Sequence, residues 1–236
     1  MLAVPGVGLW PPLFKPTLDH LRRVAQVPVR VDIVGRVVNR HGFEEQVDAL
    51  AARCRQAKNP VIVGVGDGAT LALACAIRGV EGLRGIVTHE PMLGRLEPEL
   101  QRRVETAGLH LATQCSEAAA LAFMSGLYGS SWDDAPPEAA LWVRDHYEVI
   151  CTEVSRFASF DPDPRRLRLS VPHLTTAGAT SLPERHRVRT LLWAWGATTE
   201  TIGGSGHFVL ADQPTAFADA IGQFITQVSA EAALHP

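Results

Sequence analysis

The chain has 236 residues, 46% of them hydrophobic and 20% charged, with a formal net charge of −3. That is enough for one large domain, or a domain carrying an insertion, around a sizeable core. The small net charge without a block of like charges excludes an electrostatic match to nucleic acid or an anionic membrane, and no apolar run reaches the roughly 20 residues that span a bilayer.

Leu2 to Val4 is a short apolar run that ends in PGVG. The opening MLAVPGVGLWPPLF lacks the basic start and long apolar core of a secretory signal. A helix is predicted over PTLDHLRRVAQ, and a strand over residues 28–36. From Phe43, FEEQVDALAARCRQA puts Val47, Leu50, Ala51 and Cys54 on one face at helical spacing. A strand over VIVGVG, a helix from near Asp67 and a strand over LRGIVTHEP follow. Strands alternating with helices of this length predict a parallel sheet with helices on both faces.

The alternation breaks near residue 98. Residues 99–160 are predicted to be predominantly helical, including one long amphipathic stretch, PEAALWVRDHYEVICTEVSRFASF. Strand character resumes at RLSVPHLTTAG, residues 168–178, after the breaker DPDP. A helix, a short strand ending in TIGGSGH and a final helix from Pro214 complete the chain. The expected organisation is an α/β core over 1–98 and 161–236 with a small helical cap over 99–160. An open sheet edge near Met1 could be covered by a second subunit, so a homodimer is possible on this reading.

Four cysteines, Cys54, Cys75, Cys115 and Cys151, are widely spaced and show no metal-ligand pattern. Histidines such as His20, His41 and His186 fall singly, and no HExxH occurs. No metal and no cofactor are therefore expected. The expected setting is a reducing cytoplasm, and the expected partner is a small-molecule substrate or ligand rather than nucleic acid or a membrane.

Four local stretches resemble the α/β-hydrolase fold superfamily. PGVGLW at 5–10 resembles the loop that supplies one oxyanion-hole amide, which implicates Val7 and Gly8. VDIVG at 31–35 resembles the DLPG stretch of that superfamily. VGVGDGA at 63–69 resembles the nucleophile elbow, commonly VGHSDGG, with small residues at Gly64 and Gly68. GSGHFVLADQPTAFADAI at 204–221 resembles the late histidine loop and following helix, which implies His207 as the catalytic base.

The elbow departs from the pattern. Its frame is Gly64-Val65-Gly66-Asp67-Gly68, so Gly66 stands where the resemblance expects a serine. Glycine offers no nucleophilic atom, and no acyl-enzyme can form there. A shifted frame with Asp67 as nucleophile puts Val65 where a small residue is needed. Asp67 is read instead as a helix cap whose amide faces the oxyanion position. Thr180 falls about where the superfamily usually places its acid; Glu90 in THEP is the alternative acid, with a loop cap before Pro91 as its plain structural reading. His89 is read as structural, and Trp10, Trp132 and Trp142 as pocket or lid aromatics.

Three functions stay open on these residues. The first is an enzyme acting on a small carbonyl compound (ester, lactone or polyketide-like) by non-covalent general acid/base chemistry. The second is a non-catalytic ligand-binding protein on a hydrolase scaffold. The third is a serine hydrolase whose nucleophile was changed to Gly66 by engineering.

Overall fold

In the computed structural model the described residues are 1–6, 11–25, 32–33, 42–128, 130–133, 135–157, 160 and 162–234. The strands are β1 (Leu2–Val4), β2 (Asp32–Ile33), β3 (Val61–Val65), β4 (Gly85–His89), β5 (His173–Gly178) and β6 (Thr198–Ile202). They form one sheet in the order β2-β1-β3-β4-β5-β6, with every pairing parallel. β1 pairs with β2 on one side and β3 on the other, so the expected open edge at β1 does not exist. Of the strand expected over 28–36, only Asp32–Ile33 falls among the described residues.

The helices of the core are α1 (Phe14–Val24), α2 (Phe43–Gln56) and α3 (Asp67–Ile77). Five more lie between β4 and β5: α4 (Pro98–Thr113), α5 (Glu117–Tyr128), α6 (Ser130–Asp133), α7 (Pro137–Asp145) and α8 (Tyr147–Phe157). The chain ends with α9 (Pro183–Ala194), α10 (Val209–Asp212) and α11 (Pro214–Leu234). Among the described residues no helix is long and apolar enough to cross a membrane.

α3 shows no polar face, because every residue from Asp67 to Ala76 is buried and a helix apolar all round belongs inside. It packs on β1, β3 and β4, with α2 over it, while α1 packs on α11. Phe14, Leu21, Leu50, Ile62, Ile86 and Phe217 are fully buried there, each contributing roughly 1.5–3 kcal/mol of transfer free energy.

Two elements differ from their predicted extents. The long helix expected over 137–160 is broken at His146, whose φ of −125° leaves the helical region. The His146 ring bonds the carbonyl of Trp142 at 2.8 Å and so ends the first segment locally. β5 starts at His173 rather than 168, because Pro172 has no N–H for the ladder.

The structure also joins Cys115, in the α4–α5 turn, to Cys151 of α8 as a disulfide with a Cα–Cα distance of 5.8 Å. A reducing cytoplasm is a setting in which such bonds are rare, so this pairing runs against that expectation. The packing of α4 on α8 brings the two together, which a spacing of 36 residues does not reveal. Cys54 and Cys75 are buried core thiols, and burial pushes the Cys54 pKa up to about 11.

Candidate active site

The turn from β3 into α3 is built by contact distances that only glycine meets. A Cβ on Gly64 would stand 2.6 Å from Ala69 Cα, and one on Gly68 would stand 2.6 Å from the Pro5 carbonyl oxygen. Both lie far inside van der Waals contact with backbone, so the strand, the helix and the end of β1 close together only without side chains there. Between them Gly66 adopts φ 60° and ψ −124°, a positive-φ conformation that glycine takes readily and residues with a side chain rarely do. Its N–H donates to the His89 carbonyl (2.9 Å), and its own carbonyl accepts from Ala69 N–H and Thr70 N–H. Gly66 is the N-cap of α3 and Asp67 its first helical residue. Asp67 therefore lies one position inside the predicted cap, in the first turn of α3.

His207 lies in the loop between β6 and α10, with its side chain 9% exposed. A Cβ on Gly66 would be 3.6 Å from His207 Nε2 and 3.7 Å from Cε1. Apart from the chain neighbours of Gly66, no other atom of the described residues comes within 4 Å of that point. The other face of the imidazole is fixed from β4: His207 Nδ1 bonds Glu90 Oε2 at 2.7 Å. A carboxylate can only accept, so Nδ1 carries the proton and Nε2 presents its lone pair toward Gly66.

Glu90 is held from several directions. Its second oxygen, Oε1, accepts from Gly178 N–H (2.9 Å) and from the Ser181 hydroxyl. Its backbone sits at φ 48°, uncommon for a residue with a side chain, and its carbonyl accepts from Arg185 Nη1 at 3.2 Å. Thr180, the position that the resemblance marked for an acid, bonds the Ser205 carbonyl instead at 2.9 Å and anchors the loop. His89 is fully buried beneath the pair, its Nδ1 bonded to Thr176 at 2.9 Å.

These contacts decide the charge states. Burial is the largest influence on Glu90 and by itself would raise its pKa; the hydrogen bond from His207 and the nearby His89 and Arg185 outweigh it, holding the carboxyl well below the usual carboxylate range. For His207, burial and then the Arg185 guanidinium push the pKa down, and the Glu90 hydrogen bond opposes them without cancelling them. Burial likewise lowers His89 to about 4. The pair at neutral pH is thus carboxylate and neutral imidazole, which can take a proton at Nε2.

Glu90 and His207 lie on the wall of a cavity of about 1080 Å³ beneath the helices of 98–157. Leu111, Phe123 and Leu127 supply its apolar side, and Tyr128 stacks on the His207 ring at 5.4 Å and 12°. Gly66 and Asp67 are buried and are not part of this lining. Trp142 is not brought to the cavity; it stacks on His146 at 4.2 Å. Trp132 stacks on Tyr128 and is not part of the lining. Val7, Gly8 and Trp10 lie outside the described residues.

Tyr128, Ser181 and Arg185 are the site residues that sequence reasoning missed. No local pattern marks them; only the folding of α5 and α9 toward the β4 end brings them there. Donor atoms of His89, Glu90 and His207 lie within 4.8 Å of one another, a grouping that could hold a metal ion. An ion there would have to displace the Glu90–His207 hydrogen bond.

No family model matches the chain, and no curated protein matches it by sequence. Solved structures do. A thermophilic esterase from Thermogutta terrifontis is 19% identical, with 96% of this chain and 89% of that one covered at a TM-score of 0.71. MenH from S. aureus is 14% identical, with 97% and 94% covered at 0.72. The naproxen esterase of Bacillus subtilis is 13% identical, with 95% and 82% covered at 0.72. The chain therefore has the α/β-hydrolase fold, a parallel sheet flanked by helices.

Proposed function

We propose that this chain is an enzyme acting on a small carbonyl compound by non-covalent acid/base chemistry, with His207 as the base. The observation that carries the reading is the placement of His207 Nε2 3.6 Å from where a Gly66 side chain would begin, with Glu90 fixing the opposite nitrogen. The base and its carboxylate are both present, while the elbow they face carries no nucleophilic atom.

In this mechanism the neutral imidazole removes a proton at Nε2, either from carbon beside the carbonyl or from a water attacking it. Glu90 stabilises the imidazolium that forms. The Asp67 amide, together with a second amide for which Val7 and Gly8 are the candidates, binds the developing oxyanion. The esterases among the structural neighbours are consistent with a carbonyl substrate but, on a fold that hosts many reactions, do not choose the reaction.

The test follows hydrolysis of p-nitrophenyl acetate and butyrate, and deuterium exchange beside the carbonyl of a panel of small ketones and lactones. The chain as it stands should turn over at least one class with no covalent adduct in the intact mass, and His207→Ala should abolish that turnover. Turnover that survives His207→Ala removes the base. If only Gly66→Ser is active, and it forms an adduct with a serine-directed phosphonate, the site is a serine hydrolase's with its nucleophile missing, and the non-covalent reading fails.

A further inference from the structure

We infer that the cavity holds a carboxylate-bearing substrate, whose anionic group is taken by the guanidinium of Arg185. The inference deepens the reading of His207 as base, since it names the substrate class of the same site.

Arg185 is in the first turn of α9, with its side chain 5% exposed, and forms part of the cavity wall. A guanidinium cannot shed its proton, so burial leaves a charge that some partner must meet. Two further arginines line the same cavity, and both have carboxylates. Arg102 pairs with Glu99, and Arg103 Nε lies 2.6 Å from Glu184 and 3.5 Å from Glu99.

Among the described residues Arg185 has only a long ion pair, to Glu90, and no carboxylate within hydrogen-bond distance. Its Nη1 donates to the Glu90 carbonyl at 3.2 Å and to Met92 Sδ at 3.1 Å, both uncharged acceptors. The nearest carboxylate oxygen is Glu90 Oε2, 3.9 Å from Nε and beyond hydrogen-bond distance. Glu90 is also committed elsewhere, to His207, Gly178 and Ser181. Among the described residues Nε and Nη2 therefore have no hydrogen bond. An Arg fork with unused donors on the wall of a cavity matches a planar carboxylate. Because His207 shares that wall, one small molecule can place a carboxylate on Arg185 and its reacting carbonyl at the imidazole.

The probe pair is succinate against succinamide, of similar size and differing in charge, with binding measured by calorimetry and by the His207 imidazole resonances. Succinate should bind about tenfold to a hundredfold more tightly, the usual worth of a charge-assisted hydrogen bond. Arg185→Gln should reduce the ratio to about twofold or less. Arg185→Lys, which keeps the charge and loses the fork, should leave an intermediate ratio and decides the matter if Arg185→Gln does not fold. Equal binding of the two probes, or a ratio unchanged in the variants, overturns the inference. So does inorganic phosphate displacing succinate at lower concentration, because the site is then a phosphate site. Binding requires no turnover: a carboxylate preference without catalysis leaves the inference standing and removes the base. Turnover that depends on His207 without such a preference removes only the inference.

Discussion

The β3–α3 unit and the helices of 98–157 face each other across the candidate site and are built in opposite ways. From Val61 to Ala76 every residue is buried, and the turn between strand and helix tolerates no side chain at Gly64 or Gly68. The helices opposite have one packed stripe each: Leu100, Val104 and Leu111 of α4 are buried, while Leu109 on its outer face is 67% exposed. Interiors that are close-packed on all sides hold a backbone amide and a turn in one place. A one-sided helix can change the residues of its inner stripe and still fold. Groups that must be placed accurately thus come from the sheet ends, and the shape of the cavity comes from the helices.

That contrast can be broken at either region. The largest effect is expected in the carboxylate–imidazole pair: Glu90→Gln removes the charge and, with the Gly178 N–H and Ser181 hydroxyl claiming the amide oxygen, turns an NH2 toward Nδ1, so it should lower kcat roughly 10²- to 10⁴-fold in steady-state assays. Next is the disulfide of the helical region. Cys151→Ser should cost about 2–4 kcal/mol by urea denaturation and raise KM more than it lowers kcat, because it loosens the cavity wall and not the base. If kcat falls more than KM rises, the helices take part in positioning His207 and the division of labour is wrong.

Gly68→Ala should cost about 1–3 kcal/mol by overpacking against the Pro5 carbonyl; an unchanged melting temperature would show that the turn is looser than its contacts imply. A smaller effect per step is expected from pH. His89, at about 4, and His173, at about 3, have folded pKa values below the 6.5 of the free group. The unfolded chain then binds more protons, so stability is full above pH 6.5 and falls as pH drops toward 4. Each of these histidines removes about 1.4 kcal/mol per pH unit in that window. A flat urea midpoint between pH 6.5 and 4.5 would show that both histidines protonate freely in the folded chain. The smallest change is expected at Leu141, 54% exposed on α7, where Leu141→Ser should stay within about ±0.5 kcal/mol in thermal melts.

The alternation of strands and helices, the glycine spacing of the elbow and the histidine loop are local patterns, and each is legible because a few neighbouring residues decide it. The sequence by itself therefore determined the fold class, the absence of a side chain at Gly66 and the candidacy of His207. It found Thr180 where the acid usually stands and left Glu90 open between orienting acid and loop cap, since no local pattern says which carboxylate lies beside a histidine far away in the chain. The structure puts Glu90 in contact with His207, across 117 positions of sequence, and turns Thr180 toward Ser205. It also broke the helix expected over 137–160, joined Cys115 to Cys151, took Trp142 away from the cavity and brought Tyr128 and Arg185 to it. Those outcomes depend on which helix packs on which, and the burial that drives such packing is non-directional, so no short stretch of residues records it.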